Sequence, residues 1–360
     1  MNLTLHLTNR CNLACTYCYV SKDKYADMDF DTAKQSIDLA LKYSKKYIGV
    51  SFFGGEPLIK KDLIKTLIEY TKYLHKKTGI TFSFNMTTNG ILLDEQFIDY
   101  SLRENIFISI SFDGIKKAHD LNRLKHDNQG SYDLILPNIQ NLLYLCPYYA
   151  CMQTVNINTL EYYFDSVQHL FDIGFKNIIS TMNFKDSWSE NHMDLLKKQY
   201  EKLADLYYEK TLKDDRFYFS PFDIKIDSYI NSQKKVHSEC DIGINQVSVG
   251  SDGFIYPCVQ FVGDTDYIIG NVSNGFNFEK RNQLNQLSKS EKKQCDGCSI
   301  KNRCVSRCSC LCKQTTGSID KISPALCNIE RILIPVADQL AEKLYKKRSA
   351  IFLQKHYNKL

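Results

Sequence analysis

The sequence predicts an α/β fold: a partial, TIM-like (β/α)6 barrel with parallel strands, followed by a cysteine-rich C-terminal domain. Strand-like apolar runs alternate with amphipathic helical patterns six times between residues 3 and 212, which favours a parallel sheet with helices outside it. Glycine, aspartate and cysteine signals fall where successive strands end. Nine of the 14 cysteines lie between Cys240 and Cys327. Six units are too few for a closed eight-stranded barrel, and a doubly wound sheet is the alternative.

Each strand is predicted from a short apolar or alternating run, and each helix from apolar residues three and four positions apart. In the second helix, for example, Leu63, Leu67 and Leu74 share one face. Asp31 is the expected cap of the first helix. The six predicted units are, in chain order, strand 3–8 with helix 31–43, strand 50–53 with helix 61–75, strand 81–87 with helix 94–102, strand 106–112 with helix 132–145, strand 152–157 with helix 160–173, and strand 177–182 with helix 192–212.

Composition shifts along the chain predict the domain boundaries. The barrel is expected at 1–216, a linker at 217–236, the cysteine-rich domain at 237–328, and a final segment at 329–360. That last segment comprises a helix and a basic tail. From Leu340 to Leu360, six Lys and Arg residues stand against one Glu, a pattern typical of a solvated helix face.

The overall composition is that of a globular protein, with 43% hydrophobic and 24% charged residues among 360. No apolar run approaches the length of a membrane span, and the first residues lack the basic and apolar regions of a signal peptide. We therefore expect a cytoplasmic protein without a membrane partner. No basic stripe with interleaved aromatics is present, so no nucleic-acid partner is expected either. In a reducing compartment, so many cysteines indicate metal binding rather than disulfides.

Three cysteines follow the first predicted strand in the pattern Cys11-x3-Cys15-x2-Cys18. A zinc site would need a fourth ligand, and the nearest histidine, His6, lies on the strand. Three thiolates on one short loop suit three corners of a [4Fe–4S] cube. The fourth iron would then be open to a small molecule.

With the aromatic Tyr17 before its last cysteine, this motif resembles that of the radical S-adenosylmethionine (SAM) superfamily. Gly54-Gly55-Glu56-Pro57, after the second strand, resembles the GGE motif of that family. Thr88-Asn89-Gly90 and Ser111-Phe112-Asp113-Gly114 stand at the next two strand ends. The stretch from Asp113-Gly114 through His119 to Asn122-Arg123 resembles the D-G-x4-H-x2-N-R pattern of the peptide-modifying branch. The resemblance covers about residues 3–185.

The resemblance implies a bound SAM whose amino and carboxylate groups chelate the open iron. Glu56 would accept from the ammonium group, and Arg123 would pair with the carboxylate in bidentate fashion. Ser111 would add a hydroxyl, and the backbone near Tyr17 would reach the adenine. The remaining implied SAM-binding residues are Gly54, Gly55, Asn89 and Asp113.

The second cysteine region resembles the SPASM extension of radical SAM enzymes, which typically carries two auxiliary [4Fe–4S] clusters. Three clusters in all are therefore implied. In the family pattern, the outer auxiliary cluster would be bound by Cys295, Cys298, Cys304 and Cys327, and the inner one by Cys240, Cys258 and Cys308. The two four-iron clusters have eight irons to be ligated, and this pattern supplies seven cysteines. Either Cys310 or Cys312 supplies the eighth ligand, or the inner cluster keeps an open iron that a substrate thiolate can coordinate.

The resemblance implies a peptide maturase that abstracts hydrogen from a ribosomal precursor peptide and installs a cross-link. A thioether is the first choice and a carbon–carbon bond the second. Val259 and Gln260 follow Cys258 where sulfatase-maturating relatives carry an aspartate base, which argues against formylglycine formation. Asp223 and Asp227 are candidate bases. The alternatives are a SPASM oxidase of a small molecule or a protein side chain, and a non-catalytic iron–sulfur electron carrier.

Because the barrel pattern begins almost at Met1, we expect no N-terminal peptide-recognition domain. We therefore expect a separate leader-peptide-binding protein, or direct capture of the precursor peptide at the mouth of the barrel. Reductive cleavage of SAM also implies an electron donor such as flavodoxin or ferredoxin.

Overall fold

The structure is a computed structural model that describes residues 1–20, 27–231, 241–290, 292–304 and 308–357. The chain divides into two compact units. The first unit comprises Met1–Ser111, Asn122–Leu142 and Asp241–Ser288, and the second comprises Phe112–Leu121, Leu143–Cys240 and Lys289–Leu360. Each unit combines separate stretches of the chain, whereas the four predicted domains are continuous stretches. The predicted domain boundaries therefore stay predictions.

The strands begin and end close to the predicted positions. They are β1 (Asn2–His6), β2 (Tyr47–Phe53), β3 (Thr81–Thr88), β4 (Ile106–Ser111), β5 (Ala150–Val155), β6 (Asn177–Met182), β7 (Tyr218–Phe219), β8 (Gln246–Val249), β9 (Phe254–Tyr256), β10 (Gly270–Asn271) and β11 (Gly275–Phe276). The first six are the six predicted strands, and the fifth lies two residues earlier than expected.

The helices follow the strands in the predicted alternation. They are α1 (Phe30–Tyr43), α2 (Lys61–Thr78), α3 (Glu95–Arg103), α4 (Lys116–Asn122), α5 (Tyr132–Leu145), α6 (Tyr163–Asp172), α7 (Glu190–Leu212), α8 (Ser220–Ile230), α9 (Phe278–Lys289), α10 (Ser309–Thr316), α11 (Pro324–Lys346) and α12 (Ala350–His356). The α/β fold class is therefore confirmed.

Two local predictions need correction. The cap of α1 is Asp29 and not Asp31, because the Asp29 side chain accepts a hydrogen bond from the backbone N–H of Thr32 at 2.7 Å. The segment predicted as a linker contains β7 and the helix α8. Proline at the start of α8 fits the first turn of a helix, and seven residues of α8 are buried, which a weak amphipathic pattern did not reveal.

The first unit holds a sheet with the strand order β11-β10-β9-β8-β1-β2-β3-β4. The strands from β8 to β4 are parallel, and β9, β10 and β11 extend the sheet in antiparallel fashion. Asn2–Leu5 of β1 pairs in register with Gln246–Val249 of β8. This pairing covers an edge of β1 that would otherwise expose unpaired backbone groups. Part of the predicted cysteine-rich domain thus completes the sheet that carries Cys11.

The second unit holds the parallel strands β5, β6 and β7. Helices α7, α8 and α11 pack together in this unit, and α12 packs against α8 and α11. No helix in the described ranges has the length and apolar character that crossing a membrane requires.

Candidate active site

The first cysteine loop follows β1 in the first unit. The Sγ atom of Cys11 lies 3.4 Å from the backbone N–H of Leu13 and 3.6 Å from Nδ2 of Asn89, and both groups donate to the sulfur. Burial is the main cause that raises the pKa of the Cys11 thiol to about 12; the nearby Glu56, Cys15 and Cys18 add to the rise, and the hydrogen bond from Leu13 opposes it. Metal coordination removes a thiol proton, so a bound metal would reverse this effect.

The loop is held to the segment around Arg123 by two backbone hydrogen bonds and one hydrogen bond between side chains. The N–H of Ala14 donates to the carbonyl of Leu124 at 2.7 Å, and the N–H of Thr16 donates to that of Asn122 at 2.9 Å. The Thr16 hydroxyl also donates to Oδ1 of Asn122 at 2.8 Å. The matched Asn122 therefore positions the cysteine loop.

Two further anchors of this loop were missed from the sequence. Nε2 of His126 lies 2.9 Å from the carbonyl oxygen of Cys11. Asp27 accepts from the Thr8 hydroxyl at 2.6 Å and forms an ion pair with Arg10. These residue types are common in any sequence, and only the folded chain brings them together.

The glycine pair after β2 lies directly against the cysteine loop. The N–H of Gly55 donates to the carbonyl of Thr8 at 2.7 Å. A Cβ atom built on Gly54 would lie 2.3 Å from the Thr8 carbonyl oxygen, and one on Gly55 would lie 2.2 Å from that of Arg10. Both positions therefore require glycine, because the backbone of the cysteine loop lies directly against them.

Glu56 is fully buried, and its carboxylate accepts three hydrogen bonds. They come from the N–H of Leu58 at 3.0 Å, the hydroxyl of Thr88 at 2.7 Å and the N–H of Asn89 at 2.8 Å. Burial raises the pKa of Glu56 even though these hydrogen bonds lower it. Oε1 takes two of the donors and Oε2 takes one, so Oε2 keeps a lone pair for a ligand ammonium.

Asn89 lies against the cysteine loop. Its Nδ2 atom donates to Oδ1 of Asn12 at 2.7 Å, and its Oδ1 atom accepts from the N–H of Ile91 at 3.0 Å. Nδ2 of Asn12 is buried and has no hydrogen-bond partner among the described residues. A buried amide donor without a partner is uncommon in native proteins, and it fits a site that takes a polar ligand.

Arg123 is buried, with only 6% of its surface exposed. The central carbon of its guanidinium group lies 5.3 Å from the centre of the Tyr17 ring, and its carbonyl oxygen accepts from the Ser131 hydroxyl at 2.6 Å. The first unit thus brings Arg123 and Tyr17 together, as well as Cys11, Glu56 and Asn89. Ser111 is the half-buried last residue of β4 in the same unit.

Asp113 belongs to the second unit, where its contacts are structural. Its Oδ1 atom accepts from the N–H of Thr154 at 3.0 Å, and its carbonyl accepts from Nε2 of Gln153 at 3.1 Å. Its own N–H donates to Nδ1 of the fully buried His119 at 3.3 Å. The aspartate and histidine of the matched stretch therefore brace the backbone after β4.

The second cysteine group lies mainly in the second unit. Cys304 and Cys312 are buried together with Ile322 and Leu326, and Cys295 and Cys327 pack against this cluster. Cys298 and Cys295 lie close enough to raise the pKa of Cys327, after burial as the main cause. The four cysteines expected around the outer cluster are thus neighbours, and Cys312 is a fifth thiol among them.

Cys308, Cys310 and Cys312 lie at the start of α10. A hydrogen bond with Cys310 is the largest cause that lowers the pKa of Cys308 to about 6. The N–H of Cys312 donates to the carbonyl of Cys308 at 3.0 Å, one helical turn away. Cys258 is a buried residue of the first unit, and Cys240 lies outside the described residues.

The two candidate bases are engaged with the C-terminal helix. Asp223 is 1% exposed, and its Oδ1 atom lies 2.5 Å from Nζ of Lys355 and 2.9 Å from the hydroxyl of Tyr207. Asp227 lies 2.6 Å from Nδ1 of His356. Both carboxylates serve structural ion pairs on α8, so the geometry gives no support to their predicted role as bases.

The residues of the first unit fit the implied cofactors. Three cysteines on one loop leave one corner of a [4Fe–4S] cube open, and Glu56 and Arg123 offer opposite charges for an amino acid. Within the described ranges, no group of three or more His, Cys, Asp or Glu side chains forms a ready metal-binding set.

One histidine of this region has no hydrogen bonds to account for its burial. His6 is 1% exposed at the end of β1, and neither ring nitrogen has a partner among the described residues. Burial lowers its pKa to about 3, so the ring is neutral at physiological pH. It lines a small polar cavity of about 40 Å³ with Asn9, Ser251 and Asp252.

Comparison with known sequences gives two informative relatives. A cysteine-type anaerobic sulfatase-maturating enzyme of Clostridium novyi is 27% identical over 325 residues, which cover 84% of this chain and 85% of the relative. An uncharacterized protein of Methanocaldococcus jannaschii is 32% identical over 177 residues, which cover 49% of this chain and 60% of that relative's length.

Solved structures show the same fold. Native anSMEcpe with bound AdoMet aligns with a TM-score of 0.83 at 20% identity, covering 96% of this chain and 99% of the other. Streptococcus suis SuiB bound to precursor peptide SuiA aligns with a TM-score of 0.60 at 12% identity, covering 91% of this chain and 75% of the other. The sequence profile of the radical SAM superfamily matches residues 5–198, which is more than half of the chain. The chain therefore belongs to the radical SAM superfamily.

Proposed function

We propose that this chain is a SPASM-type peptide maturase, with SAM bound beside the Cys11 loop. The arrangement of Cys11, Glu56 and Arg123 within one compact unit is the observation that carries the SAM site. When bound, the cluster and SAM supply a 5′-deoxyadenosyl radical that abstracts a hydrogen atom from the substrate. Cys11, Cys15 and Cys18 would hold the cluster.

The protein's own part is to hold the methionine end of SAM in one orientation. The free lone pair on Oε2 of Glu56 accepts from the ammonium group. The Arg123 guanidinium donates to the carboxylate, and its stacking on Tyr17 keeps it in place. The side chain of Asn89 is hydrogen-bonded to Asn12 of the cysteine loop, and its backbone N–H donates to Glu56. Asn89 therefore holds the Glu56 carboxylate in position relative to the loop. Gly54 and Gly55 allow the chain that follows β2 to lie directly against the backbone of the cysteine loop.

The substrate class is a precursor peptide. Support comes from the relatives, one of which is called a sulfatase-maturating enzyme and another of which was solved with a precursor peptide. The product we propose is a thioether cross-link, with a carbon–carbon bond as the second choice. Val259 follows Cys258 and carries no carboxylate, which disfavours formylglycine formation.

Modification of a protein side chain is the second candidate function. The 27% identity to a sulfatase-maturating enzyme across most of both chains favours it. The two functions differ in the product, because a cross-link removes two hydrogens and joins two residues, whereas side-chain oxidation alters one residue.

Two auxiliary clusters complete the proposal, for three [4Fe–4S] clusters in all. The neighbouring positions of Cys295, Cys304 and Cys327 support the outer ligand set. For the inner cluster we keep Cys240, Cys258 and Cys308, with an open iron for a substrate thiolate. Cys310, in hydrogen-bond contact with Cys308, is the main rival for the eighth position.

The test combines anaerobic purification and reconstitution with co-expression of the chain and any short cysteine-rich open reading frame found beside its gene. We expect about twelve irons per chain and a peptide that loses two hydrogens. The matched control is the triple variant Cys11→Ala, Cys15→Ala and Cys18→Ala, which should lose about four irons and all SAM cleavage. Stoichiometric zinc with little iron would contradict the cluster assignment, and a change confined to one side chain would favour the second function.

A further inference from the structure

Lys292 is a buried cation beside the second cysteine group. Only 5% of its surface is exposed. Its Nζ atom lies 3.6 Å from Sγ of Cys312 and 3.3 Å from the carbonyl oxygen of Ile319, and it donates to both. Among the described residues, no carboxylate lies within ion-pair distance of this ammonium group. The charge of Lys292 is near enough to help lower the pKa of the Asp320 carboxyl, but the two groups are not in contact. Burying a lysine without a contacting anion is costly, so a compensating negative charge is expected at this place.

The neighbours of Lys292 are the predicted cluster ligands. The carbonyl oxygen of Lys292 accepts a hydrogen bond from the N–H of Cys295 at 2.7 Å. Lys292 directly precedes the short helix Lys293–Cys295. Cys312, which its ammonium contacts, is fully buried and packs in the cluster that holds Cys304, Cys295 and Cys327. The ammonium group therefore contacts a member of the side-chain cluster that also includes three of the four outer ligands.

A four-thiolate [4Fe–4S] cluster carries a net negative charge in both of its usual oxidation states, and this charge increases by one on reduction. A fixed cation nearby stabilises the reduced form more than the oxidised form, and burial strengthens the effect because the local dielectric is low. Charge and hydrogen bonds around the sulfurs are among the factors that set the potential of such clusters.

We propose that Lys292 is the buried counter-charge of the outer auxiliary cluster and raises the reduction potential of that cluster. This assignment rests on the proposed function, because it requires the auxiliary clusters. Lys292 touches no substrate and is a positioning residue for the electron-accepting site. Cys312 supplies the contact between the ammonium group and the cysteine cluster.

The experiment measures midpoint potentials by paramagnetic resonance in the Cys11→Ala, Cys15→Ala, Cys18→Ala background, where only the auxiliary clusters remain. Lys292→Met should shift one auxiliary signal to a more negative potential and leave the other unchanged. Lys292→Arg should retain the parent potential. Lys293→Met is the matched control, because Lys293 is the exposed neighbour of Lys292 and should have no effect.

The identity of the cluster is tested by adding Cys327→Ala, which should remove the outer signal. The midpoint potential of the remaining inner-cluster signal should then be unaffected by Lys292→Met. If Lys292→Met fails to assemble one cluster while Lys292→Arg and Lys293→Met assemble both, the need for a positive charge is equally supported.

Full iron loading with unchanged potentials in Lys292→Met would overturn the assignment and leave the proposed function intact. An equal shift in Lys293→Met would also overturn it, because the effect would then not depend on the buried position. A parent background without iron would instead remove the auxiliary clusters themselves, and the two failures are thus distinguishable.

Discussion

The guanidinium group of Arg123 lies over the ring of Tyr17, with its central carbon 5.3 Å from the ring centre. Tyr17 stands between two cysteines of the first loop, and Arg123 is more than a hundred residues away in sequence. The contact links the loop that would hold the cluster to the residue that would hold the SAM carboxylate. It also fixes the orientation of the guanidinium group before any ligand binds, which reduces the entropy lost on binding.

Arg123→Lys should weaken SAM binding by about tenfold to a hundredfold. A lysine cannot form the bidentate contact, and a charge-assisted hydrogen bond contributes about 1.5–3 kcal/mol. Equilibrium dialysis with the reconstituted protein measures the affinity. Arg103→Lys, at an exposed position in the same unit, is the control and should bind SAM as the parent does. Parent-like affinity of Arg123→Lys would show that the carboxylate is held elsewhere.

Glu56→Ala should reduce stability as well as SAM affinity. The substitution leaves the donors of Leu58, Thr88 and Asn89 buried without an acceptor, and each such loss costs about 1–3 kcal/mol. Denaturant unfolding of the protein should show a loss of at least about 2 kcal/mol. Glu95→Ala, at an exposed residue of α3, is the control and should be nearly neutral.

The gentler variant Glu56→Gln separates the two effects. It keeps the shape and two of the three acceptor contacts at the amide oxygen, so it should fold with only a modest loss. It removes the negative charge that faces the SAM ammonium group, so affinity should still fall. A Glu56→Gln protein with parent affinity for SAM would restrict Glu56 to a structural role.

The sequence and the structure agree best where a short motif carries its own geometry. The cysteine spacing, the glycine pair and the six strand–helix units could all be predicted, because each depends on residues close together in the chain. The pairing of β1 with β8 could not, because it joins residues more than 240 positions apart and leaves no local pattern. The burial of Asp223 was missed for the same reason, since its partner Lys355 lies on another helix.

Gly55→Ala should impair assembly of the first cluster. Its new methyl group would lie 2.2 Å from the carbonyl oxygen of Arg10, which is backbone of the cysteine loop and cannot move without displacing Cys11. Iron analysis of the reconstituted variant should show a loss of up to about four irons. Gly49→Ala is the matched control in the same strand region. Its methyl group would meet the flexible side-chain amide of Asn2 and, at an ordinary contact distance of 3.4 Å, the Tyr47 hydroxyl, so it should load iron fully.

The stability of the second unit should depend on pH through His356. Burial lowers the pKa of His356, but its close contacts with the carboxylates of Asp223 and Asp227 outweigh burial and raise the pKa above 6.5. The folded state therefore binds a proton more tightly than the unfolded state. This contribution to stability is fully present below pH 6.5 and is lost as the pH rises through the raised pKa.

Unfolding free energies measured between pH 6 and 9 should therefore fall with pH, by at most about 1.4 kcal/mol per pH unit for one proton. His356→Gln should remove that part of the slope, because glutamine does not titrate. His75→Gln is the control, because His75 lies on α2 of the first unit and its Nδ1 atom contacts a carbonyl rather than a carboxylate. It should keep the parent slope. An unchanged slope in His356→Gln would show that the proton is taken up elsewhere and that the contacts of α12 with α8 do not depend on a charged histidine.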